Sequence, residues 1–346
     1  LSKPKVSGAY SILECLVDRF FEANNEIYTL QVGTTRAQIV PFIGANCIHF
    51  SFQKNGEWVD VIDPPPSLLK LQERPSGFGN PILFPFPNRI RAGRFNFEGE
   101  TYIFDKPADS PNSIHGLLLN HSFVVTEFGN NSDNPQPFAY ITCQVESEKS
   151  DWIMRQYPFP FRFEITYTLT EHCLHMDILV QNMGQKRLPM GLGIHPYFRV
   201  LFSPDSQPKN SWITIPANQY WELSEFLPTG RILENQDPEL IDGKCFSGLK
   251  LDDIFTNLTY IKNGSSICSI HDRTAGISLQ VEADSNFRQW VVYTPPDRHV
   301  ICFEPYTCPT DAVNLAAKNA AANLIILEPK GSEKSTFSAN IEFRIE

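Results

Sequence analysis

The 346-residue chain has no block of five or more Lys/Arg, and its formal net charge of −10 leaves no electrostatic footprint for a phosphate backbone. Nucleic acid is therefore not an expected partner. It also has no 18-residue apolar run, so a membrane-spanning helix is not expected. There is no G-x-G-x-x-G, P-loop, H-E-x-x-H or G-x-S-x-G pattern, which removes sequence support for dinucleotide, nucleotide-triphosphate, zincin and serine-hydrolase chemistry. The eight cysteines form no C-x-x-C pair and lack the crowding of a small disulfide scaffold. Reduced thiols in a cytoplasmic protein are the expectation, and "LSKPKVSGAY" shows no signal-peptide pattern. The close His and Cys of "HCLH", His172–His175, invite a metal reading, but no second Cys pair or carboxylate is spaced to complete a tetrahedral set.

What the chain does have is period-2 alternation from end to end. In "FRFEITYTL" Phe161, Phe163, Ile165, Tyr167 and Leu169 share one face, as do Leu174, Met176, Ile178 and Val180 in "LHMDILVQ", and the pair predicts a hairpin. Further strands are predicted from Glu26, Cys47, Trp212, Ile277, Gln289 and Phe337, with a second hairpin around Gly99. The 27 prolines exceed the ~5% typical of globular chains and sit mainly between these runs. Helices are predicted only at "SLLKLQ" from Ser67 and in the alanine-rich stretch Asp311–Leu324, with Asp311 as its cap. No repeat or linker divides the chain. One large antiparallel β-sandwich, a single domain over 1–346, is the expected all-β fold.

Against this pattern several polar residues stand where apolar or turn residues are expected. "PFPNRIRAGR" carries Arg89, Arg91 and Arg94, the latter two read as ordinary exposed arginines. "NSIHG" places His115 before Gly116, and "GLGIHPYF" places His195 between a glycine-rich apolar run and a Pro-aromatic pair. "KLDDIF" holds Asp252 and Asp253, and in "VICFEPY" Glu304 interrupts an apolar strand. A carboxylate in such a strand either sits at its polar end or is desolvated toward a higher pKa, which suits a general base.

In order and wording these segments resemble the aldose 1-epimerase, or galactose mutarotase, family: Asn88-Arg89, "GRF" from Gly93, His115-Gly116, "YPFPF" from Tyr157, "GIHPYF" from Gly193, "DDIF" from Asp252, "FEPYT" from Phe303 and "LEPKG" from Leu327. The resemblance runs from about residue 30 to residue 345, and its most specific parts are "HPYF" and the late "EPY". It implies a large supersandwich with a sugar cleft on one sheet. It implies His195 as the acid that protonates the sugar ring oxygen and Glu304 as the base at the anomeric hydroxyl. Arg89, His115 and Asp252 would hold the sugar hydroxyls, with Asp253 as the fallback for Asp252. Tyr197 is expected either to line the cleft or to pack. The sequence departs from the family at "LLLN" after Gly116 and at Phe123, where a tryptophan is common, and these departures bear on sugar preference.

Mutarotation opens a hemiacetal and recloses it on the other face, so it needs one proton removed and one supplied. Neither metal nor other cofactor is expected. The acid and base are expected on opposite sides of the anomeric centre, facing each other across the width of one pyranose ring, with Gly191 and Gly193 leaving room for the sugar. The partner is a small-molecule sugar, and the chain a monomer or homodimer. The alternatives are a hexose-6-phosphate 1-epimerase gripping phosphate with the loop arginines, or a non-catalytic carbohydrate-binding protein of the same fold.

Overall fold

The computed structural model describes residues 14–22, 25–316 and 322–346. The alternating face of Phe161–Thr170 is buried at every apolar position, and its hairpin partner Cys173–Asn182 buries Leu174, Met176, Ile178 and Val180. Each such side chain contributes roughly 1.5–3 kcal/mol on leaving water. This hairpin centres a nine-stranded antiparallel sheet that runs on through Thr336–Ile345, Ile277–Ala283 and Ser266–Asp272.

An eight-stranded antiparallel sheet packs on it. Its order is Leu227–Glu234, Ala217–Ser224, Asp252–Leu258, Gln289–Tyr293, Val300–Tyr306, Gly193–Ile194 and Ile82–Leu83, with Tyr197–Arg199 also paired to Val300–Tyr306. Phe198 of this sheet meets Phe343 of the other edge-on at 4.9 Å between centroids. A five-stranded sheet, Cys15–Glu22 through Glu57–Asp60, completes the β-rich architecture, so the predicted antiparallel sandwich is the fold observed.

The helix predicted at "SLLKLQ" is present at Leu68–Glu73, with the Ser67 hydroxyl accepting from the Lys70 amide. The alanine-rich stretch differs from expectation. Its helix spans only Ala312–Leu315, and residues 317–321 of the predicted helix lie outside the described residues. Asp311 occupies the N-cap position as expected but makes no side-chain cap hydrogen bond: it stands in a left-handed conformation (φ 58°) and turns its carboxylate to the Arg91 amide, 3.0 Å away, and to the Asn314 side chain. Among the described residues no helix is long and apolar enough to cross a membrane.

The strand Val300–Tyr306 is buried on both faces for two different reasons. Ile301 and Phe303 point into the main core between the sheets. Cys302, Glu304 and Tyr306 point to the other face, where Tyr197 packs with Cys302 and His195 meets Glu304.

Candidate active site

His195 is fixed from both sides in sequence. Ile194 pairs with Ile82, the His195 amide donates to the Pro81 carbonyl at 2.9 Å, and the Tyr197 amide donates to the Gly79 carbonyl at 2.9 Å. Strand alternation sends Ile194 and Phe198 into the core and His195 and Tyr197 to the opposite face. The imidazole lies flat on the Tyr197 ring, 4.8 Å between centroids and 6° between planes. Tyr197 is anchored by its hydroxyl, which donates to the Ser76 carbonyl at 2.7 Å, and Arg298 stands 4.9 Å from its ring centre. Of the two roles left open for Tyr197, packing under His195 is the contact observed.

Gly193 lies opposite Tyr306 across the strand pair, and this pairing brings the His195 loop to Glu304. Nε2 of His195 lies 3.4 Å from Oε1 of Glu304, with the two side chains 8% and 2% exposed. The expected gap of one pyranose ring between them is therefore absent: the two side chains are in contact. The glycines also act otherwise than expected. A Cβ on Gly191 would lie 2.3 Å from the Cys308 sulfur, and one on Gly193 would lie 2.4 Å from the Tyr306 ring. These two positions are occupied by the protein's own packing, so their lack of a side chain seats the loop and leaves no space for a ligand there.

The other site residues converge from separate loops. His115 has φ 65° and Gly116 has φ 75°; a Cβ on Gly116 would lie 2.2 Å from the Phe84 carbonyl oxygen, so only glycine passes there. The His115 amide donates to the Asn88 carbonyl at 2.8 Å, and its ring stands edge-on to His195 at 5.4 Å. Nδ1 of both histidines is buried with no hydrogen-bond partner among the described residues. Arg89 donates to Oδ1 of the left-handed Asn88 at 3.0 Å, and its guanidinium lies 4.7 Å from the Phe226 ring centre. The Arg89 carbonyl accepts from the Asp311 amide, which ties this loop to the segment after the Glu304 strand. Asp252, Tyr293 and Cys302 occupy one cross-strand row, so Asp252 shares the Glu304 face and Asp253 takes the opposite one. Asp252 itself is exposed.

The electrostatics follow from burial. Desolvation pulls His195 down to about 3, with the Arg298 charge acting in the same direction. Desolvation pushes Glu304 well above the usual carboxylate range and Asp252 adds to this, while the Tyr306 hydrogen bond and Arg89 oppose it. His115 is held neutral by burial and by His195 and Arg89. Burial thus pushes both groups toward their neutral forms, an unprotonated imidazole and a protonated carboxyl.

His195, Cys302 and Glu304 form the one metal-capable group of buried side chains among the described residues, with ligand atoms up to 4.8 Å apart. A tetrahedral zinc there would need a fourth ligand beyond these three and Cys302 as its thiolate. Burial, and then the neighbouring Glu304, push the Cys302 thiol well up from its ordinary value. His175, from the "HCLH" run, is spent on the nine-stranded sheet, with Nε2 3.2 Å from Asp177 and Nδ1 3.7 Å from Glu342.

Sequence reasoning missed Tyr306, whose hydroxyl donates to Oε2 of Glu304 at 2.5 Å, and Tyr293, which stands edge-on to His195 at 6.4 Å. Tyr306 was within reach, since an i, i+2 spacing on a strand puts it beside Glu304. Arg298 and Phe226 carried no local signal. Arg91 pairs with Asp311 at 3.7 Å, away from Glu304, so of the loop arginines Arg89 alone is in the electrostatic neighbourhood of that carboxyl.

The fold and the sequence both have relatives. The uncharacterized protein YihR of Escherichia coli (strain K12) is 25% identical over 319 residues, 91% of this chain and 92% of that protein. A galactose mutarotase-like protein from Clostridium acetobutylicum superposes with a TM-score of 0.85 at 23% identity, covering 96% of this chain and 98% of that one. Galactose 1-epimerase from Lactobacillus acidophilus NCFM superposes at 0.69 with 16% identity, covering 96% and 99%. The aldose 1-epimerase family model matches residues 26–340, nearly the whole chain. The chain belongs to the aldose 1-epimerase family.

Proposed function

We propose that this protein is an aldose 1-epimerase that interconverts the α and β anomers of a free hexose such as glucose or galactose, with His195 and Glu304 exchanging one proton through the sugar. The observation that carries this reading is the 3.4 Å contact between His195 Nε2 and Glu304 Oε1, both buried. The ring oxygen and the anomeric hydroxyl are bonded to the same carbon, so two groups this close reach both from one side. A base and an acid on opposite faces are not needed.

In the proposed step His195 gives a proton to the ring oxygen while Glu304 accepts the anomeric hydroxyl proton, and on reclosure the two exchange roles. Burial rests the proton on Glu304, so forming the imidazolium requires it to cross to Nε2 first, and the contact is its route. Each positioned transfer contributes about 10²–10⁴-fold. Arg89, His115 and Asp252, gathered around the pair, would hold the sugar hydroxyls.

A binding protein without activity has no need for a desolvated imidazole and carboxyl in contact. A phosphate-gripping cluster in the loop is disfavoured by the divergence of Arg91 toward Asp311. Polarimetry of freshly dissolved α-glucose and α-galactose, beside their 6-phosphates, tests the proposal. Acceleration of the free sugars supports it; no acceleration of any sugar would sink it, and a preference for the 6-phosphates would move the assignment to the phosphorylated substrates.

A further inference from the structure

The hairpin formed by Ala217–Ser224 and Leu227–Glu234 turns on two residues, Glu225 and Phe226, since Ser224 pairs directly with Leu227. Their φ angles are 52° and 64°. A two-residue turn with both centres in the left-handed region selects Asn-Gly, because neither residue then clashes with its own backbone. Glu-Phe is a poor occupant, and a bulky residue at positive φ is an outlier. Phe226 is also 55% exposed, so burial in the hairpin does not explain it. Its ring faces the Arg89 guanidinium at 4.7 Å. Arg89 in turn is close enough to His115, Asp252 and Glu304 to influence the protonation of all three. Strained backbone that persists without a packing reason tends to mark function.

We propose that Phe226 is a positioning residue of the sugar site: from the hairpin tip its ring holds the Arg89 guanidinium in the orientation that meets the sugar hydroxyls. This rests on the aldose 1-epimerase reading given above. The ring sets where a charged donor fork stands, so its loss loosens the grip on ground state and transition state alike, and the effect falls on KM.

The test is a double-mutant cycle read by polarimetry on the preferred free sugar. Phe226→Ala is expected to raise KM about three- to tenfold, the range of one partly exposed cation–π contact, with kcat within about twofold. In an Arg89→Ala background the same change should add nothing. Phe226→Tyr should restore the wild-type KM. The turn-optimised pair Glu225→Asn with Phe226→Gly should raise Tm while raising KM as Phe226→Ala does, a combination that a purely structural role for the ring does not produce. An unchanged KM in Phe226→Ala, or an equal rise with and without Arg89, overturns the inference while wild-type turnover leaves the epimerase reading intact. A wild-type protein inactive on every sugar removes both.

Discussion

The Tyr306 hydroxyl donates a 2.5 Å hydrogen bond to Oε2 of Glu304, the oxygen that His195 does not contact. Both residues rise from one face of the strand Val300–Tyr306, so a single strand supplies the carboxyl and the group that tempers it. The hydroxyl favours the charged carboxylate and opposes the upward push of burial. Removing it in Tyr306→Phe should raise the Glu304 pKa further. The shared proton is then held to higher pH, and the alkaline limb of kcat/KM should move upward. A limb that stays in place or moves down would show that Tyr306 does not tune the pair.

In the proposed mechanism His195 and Glu304 handle the same proton, so their losses should not add. His195→Asn and Glu304→Gln are each expected to lower kcat at least about 10²-fold, and the double variant should be little worse than either. Polarimetric rates checks this, with near-UV circular dichroism to establish that each variant is folded. A wild-type rate in either single variant removes that residue from the chemistry.

Gly193 faces Tyr306 so closely that an added methyl would lie 2.4 Å from its ring. Gly193→Ala should cost about 1–3 kcal/mol, as overpacking does, measurable as a lower urea midpoint. It should also lower kcat by displacing Tyr306 from the carboxyl. A variant as stable as the wild type would mean that the loop yields more easily than its strand pairing implies.

On the nine-stranded sheet, His175 is raised to about 9 by Asp177 and then Glu342, and Glu342 is lowered to about 2, first by His175. The His175 contribution is fully present below its unfolded pKa of about 6.5 and is lost as pH rises through about 9. The Glu342 contribution is present above about 4.5 and is lost as pH falls through about 2. Tm should therefore carry a component that declines between about 6.5 and 9, and His175→Gln should abolish it. His175 is partly exposed, so solvent screening keeps the component small. An unchanged Tm profile in the variant would show that the pair is not linked to folding.

The sequence by itself determined the class of fold, because strand alternation is local: each of Phe161 to Leu169 and Leu174 to Val180 buries on the face its period assigns. It also exposed His195 and Glu304, since a titratable side chain in an apolar run stands out by type alone. It did not show the turn at Glu225-Phe226, whose residues are not those such a turn selects, nor that Asp311 would turn its carboxylate to the Arg91 amide instead of making a side-chain cap hydrogen bond. Only the tertiary structure decided that His195 and Glu304 touch. Their meeting depends on Gly193 pairing with Tyr306 across strands distant in sequence, and on ring-to-backbone packing that fills the space the glycines were expected to leave open. Register between distant strands is set by how the whole core closes, and no local pattern carries that information.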